Sequence, residues 1–165
     1  MIIGKVSDFA IEAEAIRAQG KWFYGHLRFW VAGKDLGDFA DTSDLAGSAR
    51  WGRRFLAASA RRTRPDLDAQ ETGTIYRLLF ARFFERGGSC DGETFDRDPY
   101  VIDDVGESSL RDRVSMLVVR RKDGCDRVIV HEYHSPKTWE VVLPLGLVDD
   151  VMERYCSWVD AERQK

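Results

Sequence analysis

The stretch KWFYGHLRFWVAG, residues 21–33, decides how the rest of the sequence is interpreted. Its density of aromatic side chains is typical of a β-strand. Because successive strand residues point to opposite faces, one face is apolar and is predicted to be core: Phe23, Leu27, Phe29 and Val31. The other face carries aromatic and cationic groups and is a candidate binding surface: Trp22, Tyr24, His26, Arg28 and Trp30.

The segments around this strand predict an antiparallel meander followed by two helices. FAIEAEAIR (9–17) alternates apolar and polar residues, and LGDF (36–39) follows a turn at Gly33-Lys34-Asp35. Residues 45–62 and 72–86 have helical periodicity, with Asp44 in the N-cap position and Gly87-Gly88 as a stop.

The second half of the chain predicts three more strands and a final helix. Residues 87–113 are polar and loop-like, with a short helix in ESSLRDR. Strands are predicted at 115–121, 127–134 and 138–144, and an amphipathic helix from 146 onward. The order βββ-αα-βββ-α predicts one α+β domain over residues 1–165, with a six-stranded, mostly antiparallel sheet packed against helices.

Composition excludes several classes of protein. The 165 residues are 44% hydrophobic and 32% charged, which is typical of a globular domain, and the net charge is −3, whereas a general nucleic-acid binder is usually basic. No apolar run approaches the ~20 residues of a membrane span, and no signal peptide is recognisable. Three widely spaced cysteines without a CxxC motif are typical of a reducing cytosol.

No pattern predicts catalysis, a cofactor or a metal site. The usual nucleophile, nucleotide and zinc motifs are missing from the sequence. His131 and His134 would point to opposite faces of a strand, and Glu12 with Glu14 is interpreted as a solvent-facing pair rather than a catalytic one. Cys90 has acidic neighbours, which disfavour its thiolate.

Charge is segregated along the chain. Residues 34–44 carry a net charge of −3 and residues 91–107 a net charge of −6, whereas residues 50–64 carry +6. Two interpretations stay open: the acidic loops and the basic helix neutralise each other within the fold, or the long acidic loop is a docking surface for a basic partner. The aromatic face of strand 21–33 has three interpretations: a stacking platform for single-stranded nucleic acid, a protein contact, or a face buried by helices.

Several motifs resemble the immunity protein 42 family of bacterial polymorphic toxin systems. They are MIIGKVSDFAIEAE (1–14), KWFYGHLRFWVAGKDLGDFADTS (21–43) and VGESSLRDR (105–113), with the spacing Trp22…Gly25…Phe29-Trp30…Gly33…Gly37-Asp38. The resemblance implies a non-enzymatic cytoplasmic antidote that binds and neutralises a cognate secreted toxin by occlusion. It supplies no set of binding residues.

The toxin-binding hypothesis therefore depends on charge and aromatic side chains. The candidate residues are Asp96, Asp98, Asp103, Asp104 and Glu107 of the acidic loop, Asp35, Asp38 and Asp41 of the turn, and Trp22, Tyr24 and Trp30 as anchors. A basic, nuclease-like toxin would fit this surface. The alternative is a single-stranded nucleic-acid-binding module that uses the aromatic and basic face of strand 21–33 beside the arginine-rich helix.

Overall fold

The computed structural model of the chain describes residues 1–19, 22–80, 89–90, 93–94, 99–106 and 108–165. Within these ranges the strands are β1 (Ile2–Lys5), β2 (Phe9–Gln19), β3 (Trp22–Val31), β4 (Lys34–Leu36), β5 (Thr42–Asp44), β6 (Ser89–Cys90), β7 (Glu93–Thr94), β8 (Val114–Arg120), β9 (Asp126–Glu132) and β10 (Lys137–Leu143). The α-helices are α1 (Leu45–Ala57), α2 (Thr72–Phe80), α3 (Ser108–Arg113) and α4 (Leu147–Arg163). The predicted end of the second helix, 81–86, and its Gly87-Gly88 stop lie outside the described residues.

The first sheet has the order β1-β2-β3-β4, with β5 also paired to β3, and its pairs are antiparallel. The predicted meander is therefore confirmed, although its third strand is Lys34–Leu36 rather than 36–39, and β1 and β5 were not predicted. β3 and β4 are joined by Ala32 and Gly33, whose φ values of 51° and 80° are those of a two-residue hairpin turn. This turn fixes the register in which Val31 faces Lys34.

The last three strands form a separate sheet of order β10-β9-β8. The α+β class is confirmed, but the strands are divided between two main sheets rather than joined in one of six strands. The separation of the two sheets is explained by the edge of β8 that does not pair with β9. At this edge Ile102 N donates to Met116 O (3.0 Å) and Val118 N donates to Tyr100 O (2.8 Å). Because residues 100–102 occupy this edge, β8 is not available to the first sheet.

The main core lies between the inner face of the first sheet, helices α1 and α4, and one face of the second sheet. Leu27, Met116 and Tyr155 are among the fully buried residues that these elements contribute. The opposite face of the second sheet is covered by α2, through residues such as Ile75 and Leu79. Burial of β8 on both faces explains why its sequence is a continuous apolar run rather than an alternating one.

Within the described residues, three arginines of segment 50–64 pair with acids outside the two acidic segments: Arg53 with Asp160, Arg62 with Asp149 and Arg64 with Asp66. α1 ends at Ala57, and a 3₁₀ turn places Arg62, which is fully buried, beside Asp149 (Nη2–Oδ1 2.6 Å). Asp149 also binds Arg120 (3.0 Å), so one carboxylate serves two guanidinium groups. Burial lowers the pKa of Arg62, and the charge of Asp149 opposes that shift. The helix predicted over 45–62 is therefore an α-helix over Leu45–Ala57 followed by a 3₁₀ turn over Ser59–Arg62.

Candidate protein-docking surface

The outer face of the first sheet is organised around the carboxylate of Glu12. Its Oε2 accepts hydrogen bonds from Arg28 Nε (2.7 Å) and from Trp30 Nε1 (2.9 Å). Glu12 pairs with Arg28 across β2 and β3, so the alternation of both strands places the three side chains on the same face. Arg28 also contacts Asp35 on β4 (3.3 Å), which extends the charged row across three strands.

The pKa of Glu12 reflects this environment. Burial raises the pKa of the carboxyl, but the hydrogen bonds from Arg28 and Trp30 and the charge of Arg28 outweigh it, and the pKa lies below its usual value. Glu12 is therefore ionised at neutral pH and holds the Arg28 and Trp30 side chains in one orientation.

The segment between β4 and β5 folds over the same face. Phe39 lies against the ring of His26 (5.6 Å between centroids) and under the guanidinium of Arg28 (5.1 Å). The imidazole Nδ1 of His26 donates to the backbone oxygen of Asp41 (3.1 Å). The turn that carries the predicted acids is thus attached to the aromatic strand by specific contacts.

Three of the predicted acids lie in the segment 35–41, and a fourth, Asp104, lies elsewhere. Asp35 is exposed, Asp38 lies 3.9 Å from Arg113, and Asp41 is half-buried on the same turn. Asp104 is paired with Arg111 (3.7 Å) in a separate groove beside β5 and α1, where its side chain is only 7% exposed. The structure therefore brings the turn 35–41 close to Arg113 at the end of α3.

The other predicted acids do not join this surface. Asp103 is buried, and its carboxylate accepts a hydrogen bond from Met116 N (2.8 Å), so it stabilises the edge of β8. Its place in a 3₁₀ turn could not be read from the acidic composition of the loop. Asp96, Asp98 and Glu107 lie outside the described residues.

The three predicted aromatic anchors lie on the outer side of β3, as alternation requires. Trp22 is 44% exposed at the start of the strand, whereas Tyr24 and Trp30 are half-buried. The guanidinium of Arg17 lies over the ring of Tyr24 (5.7 Å), and that of Arg28 over Trp30 (4.8 Å). These contacts fix the rings while leaving part of their surface available to a partner.

An open cleft of about 720 Å³ borders the acidic turn, between the β3–β4 hairpin and the ends of β8 and β9. Lys34 lies over the ring of Trp139 (4.3 Å), and Trp139 Nε1 donates to Glu132 (2.7 Å). The cleft lining combines Asp35 and Glu132 with Lys34 and Arg113, so its charges are mixed. These contacts tie the hairpin of the first sheet to the second sheet.

The histidines of the HEYH segment have separate roles. His131 Nδ1 hydrogen-bonds Thr138 Oγ1 (2.8 Å) and the ring stacks on Tyr76 (4.3 Å), while His134 lies in the following turn at the cleft. Within the ranges that the structure describes, no group of three or more His, Cys, Asp or Glu residues could hold a metal ion. Burial raises the pKa of Cys156 to about 11, so its thiol is not activated as a nucleophile.

The nucleic-acid alternative requires the aromatic face and the arginine-rich helix to form one surface. Instead, α1 packs on the inner face of the first sheet, where Leu45 occupies the space in front of Gly25. Arg28, the central cation of the aromatic face, is already paired with Glu12 and Asp35. Among the described residues that line the groove at α1, Trp22 is the one member of the predicted stacking platform that lies beside the arginines of this helix.

The sequence and the fold were both compared with those of known proteins. A family model described as immunity protein 42 matches residues 1–158. The chain belongs to the immunity protein 42 family. Among solved structures, the crystal structure of CdiI from Burkholderia dolosa AUO158 is similar in fold, with a TM-score of 0.73 and 22% identity over 96% of this chain and 99% of that chain. No curated protein matches the sequence.

Two features of the outer face of the first sheet were not predicted from the sequence of this immunity protein 42 family member. Glu12 was interpreted as a solvated carboxylate, although its cross-strand position opposite Arg28 would have indicated an ion pair. The contact of Phe39 with the aromatic face had no sequence signal, because it depends on how the 37–41 segment folds back.

No helix in the described residues is long and apolar enough to cross a membrane.

Proposed function

We propose that this chain is a non-enzymatic cytoplasmic antidote that binds a cognate toxin domain and neutralises it by occlusion. The observation that carries the proposal is the match of the immunity protein 42 model to nearly the whole chain. An immunity function needs a stable, specific surface rather than a catalytic constellation, and the outer face of the first sheet has the properties of such a surface.

We propose that the toxin contacts the acidic turn and the aromatic face together. Asp35, Asp38 and Asp41 would steer a basic toxin surface, and Tyr24, Trp30 and Trp22 would supply apolar contact area. The hydrogen bonds that Arg28 and Trp30 donate to Glu12 reduce the side-chain entropy lost on binding. A nuclease fits this charge, because its cleft must attract phosphate groups. Asp96, Asp98 and Glu107 remain candidates for the same contact.

The test begins with co-expression of this chain and the C-terminal domain encoded by the neighbouring large open reading frame. The proposal predicts that the domain alone stops growth, that this chain restores growth, and that the two proteins co-purify in a 1:1 ratio. Rescue without binding, or a harmless neighbour, would contradict the occlusion mechanism.

The surface is tested with charge reversal at two acids of the turn. The Asp35→Lys/Asp41→Lys variant should bind the toxin domain at least tenfold more weakly and with a flatter salt dependence, because steering charges are removed. The matched control is Glu71→Lys/Glu153→Lys, which changes the same amount of charge at two exposed positions outside this face. Equal affinities for the two variants, measured by titration calorimetry at several salt concentrations, would show that the acidic turn is not the docking site.

A further inference from the structure

A second, oppositely charged groove lies at the other end of β3. It has a volume of about 360 Å³ and is lined by Trp22, Asp44, Ala46, Arg50, Arg53 and Arg163. Arg50 and Arg53 come from α1, Arg163 from the end of α4, and Trp22 from the first position of β3. Two helices that are distant in sequence, α1 and α4, therefore place cationic groups around the exposed indole ring of Trp22 on β3.

Three arginines and one carboxylate, that of Asp44, are among the described residues that line the groove. Arg53 is paired with both carboxylate oxygens of Asp160 (2.6 Å each), and the Asp44 carboxylate caps α1 by accepting from Ala46 N (3.2 Å). Arg50 is exposed and forms no ion pair within the described part of the chain. An incoming anion would thus find Arg50 available without the cost of breaking an existing pair.

We propose that this groove binds an acidic segment of the partner protein, with a carboxylate paired to Arg50 and Arg163 and an apolar group against Trp22. The assignment rests on the proposed toxin-binding function, since the acidic segment is that of the toxin. Arginine pairs with carboxylates in a bidentate geometry, and Trp and Arg are the residues that most often dominate interface energy.

A protein segment fits the groove better than nucleic acid does. Asp44 and Asp160 lie at or beside the groove and would repel a continuous row of phosphates, and the whole chain carries a charge of −3. Trp22 is the one aromatic residue in the described lining, whereas single-strand binders stack successive bases on several rings.

The two charged regions would fix the orientation of the partner. Trp22 opens β3 and Trp30 lies near its end, a span of eight residues or about 26 Å. The acidic turn lies at the Trp30 end and the arginine groove at the Trp22 end. A partner that carried a basic patch and an acidic segment at this separation would bind in one orientation, because the reversed one would oppose like charges at both ends.

The groove is tested first without the toxin, by fluorescence anisotropy with two labelled probes at low salt: an eight-residue peptide of alternating Leu and Glu and the oligonucleotide dT8. We expect the peptide to bind, and the Arg50→Glu/Arg163→Glu variant to weaken it about tenfold. Trp22→Ala should also weaken it. Arg154→Glu, an exposed reversal on α4 outside the groove, should bind as the wild type does. No peptide binding, equal loss in Arg154→Glu, or tighter binding of dT8 would overturn the proposal.

The same variants separate this proposal from the proposed function. If wild-type chain binds the toxin domain and Arg50→Glu/Arg163→Glu binds it equally well, the toxin does not use the groove, although the antidote function stands. If the wild-type chain does not bind the toxin domain, the proposed function fails, and the partner assigned to the groove is then wrong as well. The peptide experiment still decides whether the groove binds acidic protein segments. Weakening by the groove variant but not by Arg154→Glu is the supporting result.

Discussion

Replacing Asp149 with Asn tests how much of the stability depends on the buried arginine. Arg62 is fully buried, and its Nε and Nη1 atoms have no hydrogen-bond partner among the described residues. Asp149 therefore supplies its main compensation (2.6 Å), beside a long contact to Phe55 O (3.5 Å). The asparagine is nearly the same size, so the change removes charge while keeping volume.

The magnitude follows from the burial of the pair. Removing one partner of a buried ion pair costs about 3–5 kcal/mol, because a charge is left uncompensated. Asp149 is 23% exposed and Arg120 keeps its contacts with Asp126 (2.8 and 3.2 Å), so we expect the lower end of the range, about 3 kcal/mol. For a domain of this size that corresponds to a fall in Tm of about 6–12 °C.

The assay is urea unfolding followed by tryptophan fluorescence and far-UV circular dichroism. Asp150→Asn is the matched control, since Asp150 is 64% exposed and its pair with Arg154 is a surface i,i+4 contact worth about 0.3–0.5 kcal/mol. Adding Arg62→Met to Asp149→Asn should recover most of the loss, because the uncompensated charge is then removed. If Asp149→Asn loses no more stability than Asp150→Asn, the energetic role assigned to the Arg62–Asp149 pair is wrong.

Two further changes test the first sheet. Glu12→Gln should lower the free energy of unfolding by about 1–2 kcal/mol at pH 7. Because the pKa of Glu12 is lowered by folding, its contribution to stability is fully present above the unfolded pKa of about 4.3 and is lost as pH falls through the folded value. Urea unfolding at pH 3 should therefore show a smaller difference in stability between the wild type and Glu12→Gln. A difference that does not change with pH would contradict this. Ala32→Asn should raise stability by roughly 1 kcal/mol, since Asn tolerates the φ of 51° better than Ala, and Ala69→Asn, at a residue without positive φ, should show no such gain in the same thermal melt.

Local patterns in the sequence predicted most elements, and non-local contacts explain the differences. The alternation of β3 and the cap of α1 by Asp44 depend only on neighbouring residues, and both are present. The division into two sheets depends on residues 100–102 reaching the edge of β8, which no local pattern records. The early end of α1 likewise accompanies the burial of Arg62 against Asp149, 87 residues away.

The candidate site was predicted less completely, because composition records charge but not burial. Asp103 and Asp104 are adjacent acids in the same loop, yet the first is an internal hydrogen-bond acceptor and the second pairs with Arg111 beside the groove at β5. The arginine groove was missed for a similar reason, since Arg163 and Trp22 are far apart in the sequence. Only the packing of α4 on α1 and the first sheet brings them together.

The distribution of helices explains why the proposed docking surface lies where it does. α1 and α4 pack on the inner face of the first sheet and α2 covers one face of the second sheet, so the outer face of the first sheet is stabilised in another way. There, ion pairs and cation–π contacts among Glu12, Arg28, Trp30 and Phe39 replace the apolar burial that a helix would supply. A face ordered by its own polar contacts keeps its aromatic rings partly exposed without leaving them mobile. Such a surface loses little conformational entropy when a partner binds, which favours the tight and specific association that neutralising a toxin requires.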